Sequence, residues 1–243
     1  MIRVGRRKYN NNGFIDPSYP NFIPIICMTK STEYGDLSPY ALVDEKGRNM
    51  ENLWQFQKCY EYVPTSRQTF SKYDPRVIWN HPHEIHIDDN GNITDEYWNW
   101  RNKGMNAPDA IRYPVGFNHR KNCLFSLKDL GNNMYLQLDY IDARKEIYLP
   151  LYTKYVKNKQ KFLKLKKMLK EGKNLLIIEV DGPHQEDLQY YKDKYNVTND
   201  FIEKDTLLAT KQNLDIMLND TKHPFGHGYC LASALLSIEL KDF

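Results

Sequence analysis

Three carboxylates are the clearest candidates for chemistry in this sequence, and the first of them begins a run of polar residues. Glu51 is followed by Gln55 and Lys58, at the i, i+4 and i+7 positions of a helix predicted over residues 50–62. This spacing would place an acid, an amide and an ammonium group on one helical face. Such a face could orient the polar groups and phosphates of a substrate. The same spacing is also typical of a helix face that is merely solvated.

The other two carboxylates, Glu179 and Asp220, stand beside features that favour a binding site. Glu179 lies within the apolar run of residues 175–180, where a charged group is costly unless it is paired or stands at the mouth of a site. Asp220 precedes a glycine-rich turn at residues 225–228, where backbone N–H groups could approach a phosphate or a base closely. An outward-facing strand residue and a plain turn between helices are the alternatives.

Several predicted elements would position these residues. Strands are predicted over residues 22–28, 134–141 and 175–180, and Pro24 indicates that the first of them lies at a sheet edge. A hairpin-like turn is predicted at residues 44–47. Further helices are predicted over residues 95–103, 149–170, 205–218 and 230–239, and residues 190–205 as a helix or lid-like insertion.

These elements favour an α+β fold, a single, predominantly helical domain with a small sheet over residues 1–243. Residues 1–13 carry four basic side chains and end in an Asn-rich turn, so they are predicted to be a flexible basic lead-in. Residues 181–220 are predicted to be an insertion.

Composition indicates an ordinary soluble protein. Hydrophobic residues make up 41% and charged residues 27%, and the net charge of +3 is too small for the whole surface to bind nucleic acid. The four cysteines include no CxxC pair, which favours reduced, mostly buried thiols over disulfides or zinc. No apolar run approaches the roughly 20 residues of a membrane helix. We therefore expect a cytoplasmic protein without membrane contact; its richness in Asn, Lys and Tyr fits an AT-rich genome, such as that of a virus.

Three blocks resemble, in the same order, the NADAR (YbiA-like) family of N-glycosidases. The first consists of GDLSPY at residues 35–40, Gly47 and ENLWQFQK at residues 51–58, and is similar to the family's LSNF segment, glycine turn and ExxxQxQK helix. The second consists of KF at residues 161–162, ML at 168–169, Gly172 and LLIIE at 175–179. The third consists of FGHG at residues 225–228 and LASALL at 231–236, similar to the family's terminal WGxG block.

The resemblance implies hydrolysis of the bond between a ribose C1 and a base nitrogen, in an ADP-ribosylated guanine or a ribosylated pyrimidine-like nucleotide. In such a reaction a carboxylate stabilises the cationic sugar, and hydrogen-bond donors stabilise the leaving base. The implied catalytic residues are Glu51, Glu179 and Asp220. The implied substrate-binding residues are Ser38, Tyr40, Trp54, Gln55, Lys58, Phe225, Gly226, His227 and Gly228. No metal or cofactor is expected; the substrate could be free or carried on nucleic acid, and both monomer and homodimer remain open.

Two other function classes are alternatives to this hypothesis. The run EVDGPH at residues 179–184 resembles a strand and turn of Mg²⁺-dependent PD-(D/E)xK nucleases, with Asp181 as a metal ligand. A non-catalytic nucleotide-binding module of a virus is the second, because Phe225 and Glu239 stand where the NADAR pattern usually has Trp and Arg.

Two further signals favour ordinary surface roles. The histidines at residues 81, 83 and 86 are expected to lie at the surface rather than to bind a metal. Nine lysines in residues 154–173 are typical of the solvated face of an amphipathic helix, although they could also contact phosphates.

Overall fold

A computed structural model describes residues 1–11, 13–29, 31, 33–65 and 79–238. The strands are β1 (Ile2–Arg6), β2 (Lys8–Asn10), β3 (Gly13–Ile15), β4 (Phe22–Ile26), β5 (Lys58–Tyr60), β6 (Tyr62–Val63), β7 (Glu84–Ile85), β8 (Cys123–Gly131), β9 (Met134–Leu138), β10 (Asn174–Glu179) and β11 (Thr206–Leu208). The helices are α1 (Met50–Gln55), α2 (Asp95–Met105), α3 (Tyr140–Ala143), α4 (Leu149–Val156), α5 (Gln160–Lys170), α6 (Leu188–Tyr195), α7 (Lys211–Asn219) and α8 (His227–Leu236).

The chain forms two compact units. The first unit combines residues 1–42 with the chain from residue 149 onward, and the second unit consists of residues 43–148. Helices and small sheets occur in both, which confirms the predicted mixture of the two kinds of element.

A four-stranded sheet forms the centre of the first unit. Its strand order is β11-β1-β10-β4, in which β10 runs parallel to both β1 and β4 and β11 is antiparallel to β1. Strand β10 is buried from Leu175 to Glu179, as expected for an inner strand covered on both faces. Helix α8 lies against β1 and β10, and α5 also contacts β10. The predicted strand at residues 22–28 is β4, and its edge position, inferred from Pro24, is confirmed.

The prediction of a flexible lead-in over residues 1–13 is wrong. Strand β1 is an inner strand of the sheet, with Ile2 and Val4 in the core. Arg3 is buried as well, and its guanidinium donates to the Thr206 hydroxyl at 2.8 Å and pairs with Glu203 at 3.1 Å. The basic side chains suggested a solvated segment, but the alternating apolar residues between them fill the core and Arg3 has polar partners there.

Two predicted helices of the first unit are interrupted. Residues 149–170 form α4 and α5, separated by a turn in which the Lys159 N–H donates to the Val156 carbonyl at 3.0 Å. Residues 205–218 begin with strand β11, and α7 starts only after Thr210, whose hydroxyl accepts from the Asn213 N–H. The segment 181–220, predicted as an insertion, thus contributes a strand to the main sheet through pairing of β11 with β1.

The second unit contains a three-stranded antiparallel sheet, β5-β8-β9, and a largely aromatic core. Phe56, Trp100, Tyr97 and Tyr60 are fully buried or nearly so, and the rings of Phe56 and Trp100 lie 4.5 Å apart. The turn predicted at residues 44–47 is confirmed, since Gly47 has a φ of +76° and its N–H donates to the Asp44 carbonyl.

The helix predicted over residues 50–62 is wrong beyond Gln55. Helix α1 ends there, Phe56 caps it, and Lys58 begins strand β5, which pairs with β8. Tertiary pairing decides this, because residues 58–60 gain ladder hydrogen bonds with β8, and Cys59 and Tyr60 have only moderate helix propensity. The expectation of surface histidines is also wrong for His81 and His86, which are both buried.

Candidate functional site

The carboxylate of Glu179 is enclosed at the point where β10 ends and α8 begins. Its Oε1 accepts a hydrogen bond from the Gly228 N–H at 2.8 Å. A Cβ on Gly226 or Gly228 would collide with the Glu179 carboxylate, so the two glycines leave just enough room for it. The amino-terminal end of a helix favours negative charge, which helps to offset the cost of burying this acid.

His227 connects Glu179 to the end of strand β4. Its Nδ1 lies 3.1 Å from Glu179 Oε2, and its Nε2 lies 3.1 Å from the carbonyl oxygen of Cys27 and 3.4 Å from the Cys27 sulfur. Burial opposes a charged imidazole, but Cys27 and Glu179 outweigh it and raise the pKa of His227 well above its usual value. Both ring nitrogens face acceptors, which fits a doubly protonated imidazolium.

Cys27 is therefore a site residue that sequence reasoning missed. It is fully buried one residue after β4, and its sulfur also lies 3.5 Å from the Ile178 carbonyl. The available signal was its position: a thiol directly after a parallel strand lies at the edge of the sheet where the other strands of the same direction also end.

Asp220 lies in a second cluster of the first unit and has a different set of partners. It is fully buried, and the hydroxyls of Tyr190 and Tyr191 donate to it at 2.5 and 3.0 Å. His223 Nδ1 approaches the same carboxylate at 2.5 Å. Burial would raise the pKa of Asp220, but hydrogen bonds, led by those from His223 and Tyr190, hold it well below its usual range. The acid is thus fixed as an anion.

Tyr229 lies near the acids of both clusters. Burial, and next the negative charges of Glu179, Asp181 and Asp220, raise the pKa of its phenol well above the usual value. Its hydroxyl is buried and has no hydrogen-bond partner among the residues that the structure describes. A neutral phenol surrounded by acids is a potential hydrogen-bond donor to a water or a ligand. Phe225, predicted to bind substrate, stacks on the Tyr229 ring at 5.1 Å and is itself buried.

The remaining predicted residues of the first unit, Ser38 and Tyr40, lie beyond a short 3-10 turn at Gly35–Leu37. Ser38 is buried, and its hydroxyl lies 3.1 Å from the Thr29 hydroxyl and accepts from the Tyr40 N–H at 3.4 Å. Tyr40 is half-buried. These contacts give Ser38 a local turn-forming role. Glu239, which stands where the NADAR pattern usually has Arg, lies outside the described residues.

In the second unit, the structure links the three polar residues of the first block directly. The Gln55 amide donates to Glu51 Oε1 at 2.9 Å, and the Lys58 ammonium donates to Gln55 Oε1 at 2.9 Å. The ammonium also lies 4.6 Å above the ring of Trp54, within the range of a cation–π interaction. Glu51 is buried, so it does not belong to a merely solvated helix face.

Helix α1 is held firmly at this place in the second unit. The Asn49 side chain caps it by accepting from the Glu51 N–H at 2.9 Å. Asn52 is fully buried, donates to the carbonyls of Ala107 and Asp109, and accepts from the Ile111 N–H at 2.7 Å. The acid and the amide are therefore presented on a helix that is anchored by these hydrogen bonds, and the cation comes from the start of β5.

No group of His, Cys, Asp and Glu side chains in the described residues could hold a metal ion. In that same part of the chain, no helix combines the length and apolar character needed to cross a membrane. Compared with known proteins, the chain matches no family model, no curated protein and no solved structure.

Proposed function

We propose that this protein is a metal-independent N-glycosidase, a divergent NADAR-like hydrolase. Its substrate would be an ADP-ribosylated base, such as a guanine adduct, or a ribosylated pyrimidine-like nucleotide. The observation that carries the proposal is the hydrogen-bonded chain from Glu51 through Gln55 to Lys58, beside Trp54. These residues belong to the block that most resembles the family, and Glu51 is buried, unlike an acid on a solvated helix face.

The chemistry assigned to this chain follows from its charges. Cleavage of an N-glycosidic bond develops positive charge on the ribose, and the Glu51 carboxylate would stabilise that charge and orient the attacking water. The Lys58 ammonium, which lies 4.6 Å from the centre of the buried Trp54 ring, would contact a phosphate of the substrate. The resemblance assigns further acidic roles to Glu179 and Asp220, and their variants are tested in parallel.

The direct test measures release of ADP-ribose from ADP-ribosylated guanosine and from ADP-ribosylated DNA, with EDTA present. Release should proceed in EDTA, and Glu51→Gln should reduce its rate at least about a hundredfold, which is typical for loss of a general acid or base. Glu61→Gln, an exposed acid of the same unit, is the matched control and should retain activity. Thermal unfolding of both variants verifies that they fold.

Other outcomes would decide against this function. Absence of release from every ADP-ribosylated or ribosylated base, at stoichiometric protein, would overturn the proposal. Tight nucleotide binding without turnover would instead indicate a binding module. Plasmid nicking that requires Mg²⁺ and disappears in Asp181→Asn would indicate a nuclease.

A further inference from the structure

Positive charge is concentrated in one segment of the first unit. Residues 154–173 contain nine lysines and one acid, Glu171, a net charge of +8. The whole chain has a net charge of +3, so the remaining residues together carry −5. This segment comprises the end of α4, the turn that follows it, α5 and the residues after α5; we call its solvent-facing side the lysine surface. Such an uneven distribution favours binding of a polyanion at this surface rather than over the whole protein.

The fold directs these lysines outward. Phe162 and Leu165 are buried, which fixes the inward side of α5, and α5 contacts β10 and α8. Helix α5 has 11 residues and thus a length of about 16 Å. The lysine side chains of the segment are exposed or half-buried. The members of the lysine surface are Lys154, Lys157, Lys159, Lys161, Lys164, Lys166, Lys167, Lys170 and Lys173.

Few acids neutralise this surface. Lys164 pairs with Glu33 at 2.6 Å, and Glu171 lies 3.3 Å from Lys173 and 3.9 Å from Lys167. Five lysines of the surface form no ion pair with any acid in the described part of the chain, namely Lys157, Lys159, Lys161, Lys166 and Lys170. Their mutual repulsion is a cost to the folded state that a bound polyanion would remove.

The apolar residues of α5 help to identify the polyanion. A helix that inserts into a membrane surface needs an exposed apolar face, whereas the apolar side of α5 is used by the core and Leu163 is its one exposed large apolar side chain. Proteins that bind single strands usually add aromatic platforms for the bases. Residues 154–173 contain two aromatic side chains, of which Phe162 is buried and Tyr155 is half-buried. A surface of nine lysines with a single half-buried ring suits the phosphates of a duplex better than the bases of a single strand.

We propose that the lysine surface binds the phosphate backbone of duplex DNA without reading its base sequence. This goes beyond the glycosidase function, since it requires no catalytic residue. If both proposals hold, the adduct that is hydrolysed is carried on a polymer rather than on a free nucleotide.

The test measures binding of an unmodified fluorescent DNA duplex by anisotropy between 50 and 200 mM salt. The full chain carrying Glu51→Gln is used as the reference, so failure of the glycosidase proposal cannot affect the result. Each phosphate neutralised contributes about 0.9 to the slope of log affinity against log salt concentration. The combined variant Lys157→Gln, Lys161→Gln, Lys170→Gln should therefore lower that slope by about 3 and weaken binding roughly tenfold or more at low salt.

A matched variant separates the effect of the lysine surface on DNA binding from the effect of the total net charge. Lys121→Gln, Lys204→Gln, Lys211→Gln removes the same charge at exposed positions elsewhere and should leave the slope unchanged. Four outcomes overturn the proposal: no duplex binding at 50 mM salt, equal loss in both triple variants, tighter binding of a single strand than of the duplex, or binding of phosphatidylserine vesicles that depends on the three lysines while duplex binding does not.

Discussion

At the scale of single residues, the buried acids of the first unit differ in how they are held. Glu179 is enclosed by two glycines and an imidazole, and its negative charge is balanced by His227 and the start of a helix. Asp220 is fixed by phenol hydroxyls and His223. Each anion has a specific donor set, and removing one donor leaves a buried charge uncompensated.

The His227→Gln substitution should destabilise the protein by about 3 kcal/mol at pH 6, because Glu179 would lose its cationic partner. The pKa of His227 is raised in the folded state, so its contribution is complete below about pH 6.5 and is lost as the pH rises through the folded-state pKa. Denaturant unfolding of both proteins should therefore show the largest difference at pH 6 and a smaller one at strongly alkaline pH. Equal stability at pH 6 would contradict the ion pair, and His83→Gln, at an exposed position, serves as control.

The Asp220→Asn substitution tests the second cluster. Hydrogen bonds to a charged acceptor contribute about 2 kcal/mol each, so the variant should be less stable at pH 7 by at least this order. The pKa of Asp220 is lowered on folding, so its contribution is present above about pH 4 and fades as the pH falls through the folded-state pKa. Urea unfolding at pH 7 and pH 3 measures this, with the exposed Asp193→Asn as control. A difference that grows towards pH 3 would show that the carboxylate is not stabilised as an anion.

At the scale of elements, helix and strand ends determine which polar groups can meet. Helix α1 ends at Gln55, and strand β5 then brings Lys58 back to the Gln55 amide. A continuous helix would also have placed the three side chains near one another, so the predicted contact holds although the predicted element does not.

The two-residue strand β7, in contrast, places an acid in an environment that disfavours its charge. Glu84 lies close to His86, with 3.9 Å between Oε2 and Nε2, and neither of these atoms has a hydrogen-bond partner among the described residues. Burial, and then the charge of Glu96, raise the pKa of Glu84 to about 7. Burial also lowers the pKa of His86 to about 3, so this pair does not form an ion pair at neutral pH.

The Glu84→Gln substitution should consequently stabilise the protein at alkaline pH. An acid whose pKa rises on folding destabilises the folded state as the pH increases from its unfolded value to its folded value. We expect the variant to match the wild type near pH 4 and to exceed its unfolding free energy by up to about 3 kcal/mol at pH 8. Thermal and denaturant unfolding at both pH values measure this. Lower stability at pH 8, with Glu61→Gln unchanged, would show that the charged carboxylate is well accommodated.

At the scale of the whole molecule, one compact unit interrupts the sequence of the other. The first unit begins at residue 1 and resumes at residue 149, so its parallel strands β1, β4 and β10 come from distant parts of the chain. Charge is also unevenly distributed along the sequence, with +8 in residues 154–173. The net charge of +3 conceals this distribution, and for that reason the total gave no indication of the lysine surface.

The sequence by itself determined the features that depend on local physics. The buried strand at residues 175–179, the edge strand marked by Pro24, the glycine turn at Gly47 and the polar partnership of Glu51, Gln55 and Lys58 all follow from periodicity, turn chemistry and spacing. Local rules suffice in these cases because the interacting groups are close in sequence or the backbone preference is strong.

Only the tertiary structure decided which distant groups meet. The carboxylate of Glu179, the imidazole of His227 and the carbonyl of Cys27 come from three elements, and up to 200 residues separate them. Strand β1 was mistaken for a flexible segment because its arginines obscured its apolar residues, and Arg3 becomes buried only because Thr206 and Glu203 are brought to it. Contacts of this kind depend on which distant residues become buried together in the fold. Such burial outweighs the local charge and the helix or strand propensity that can be evaluated from a single sequence.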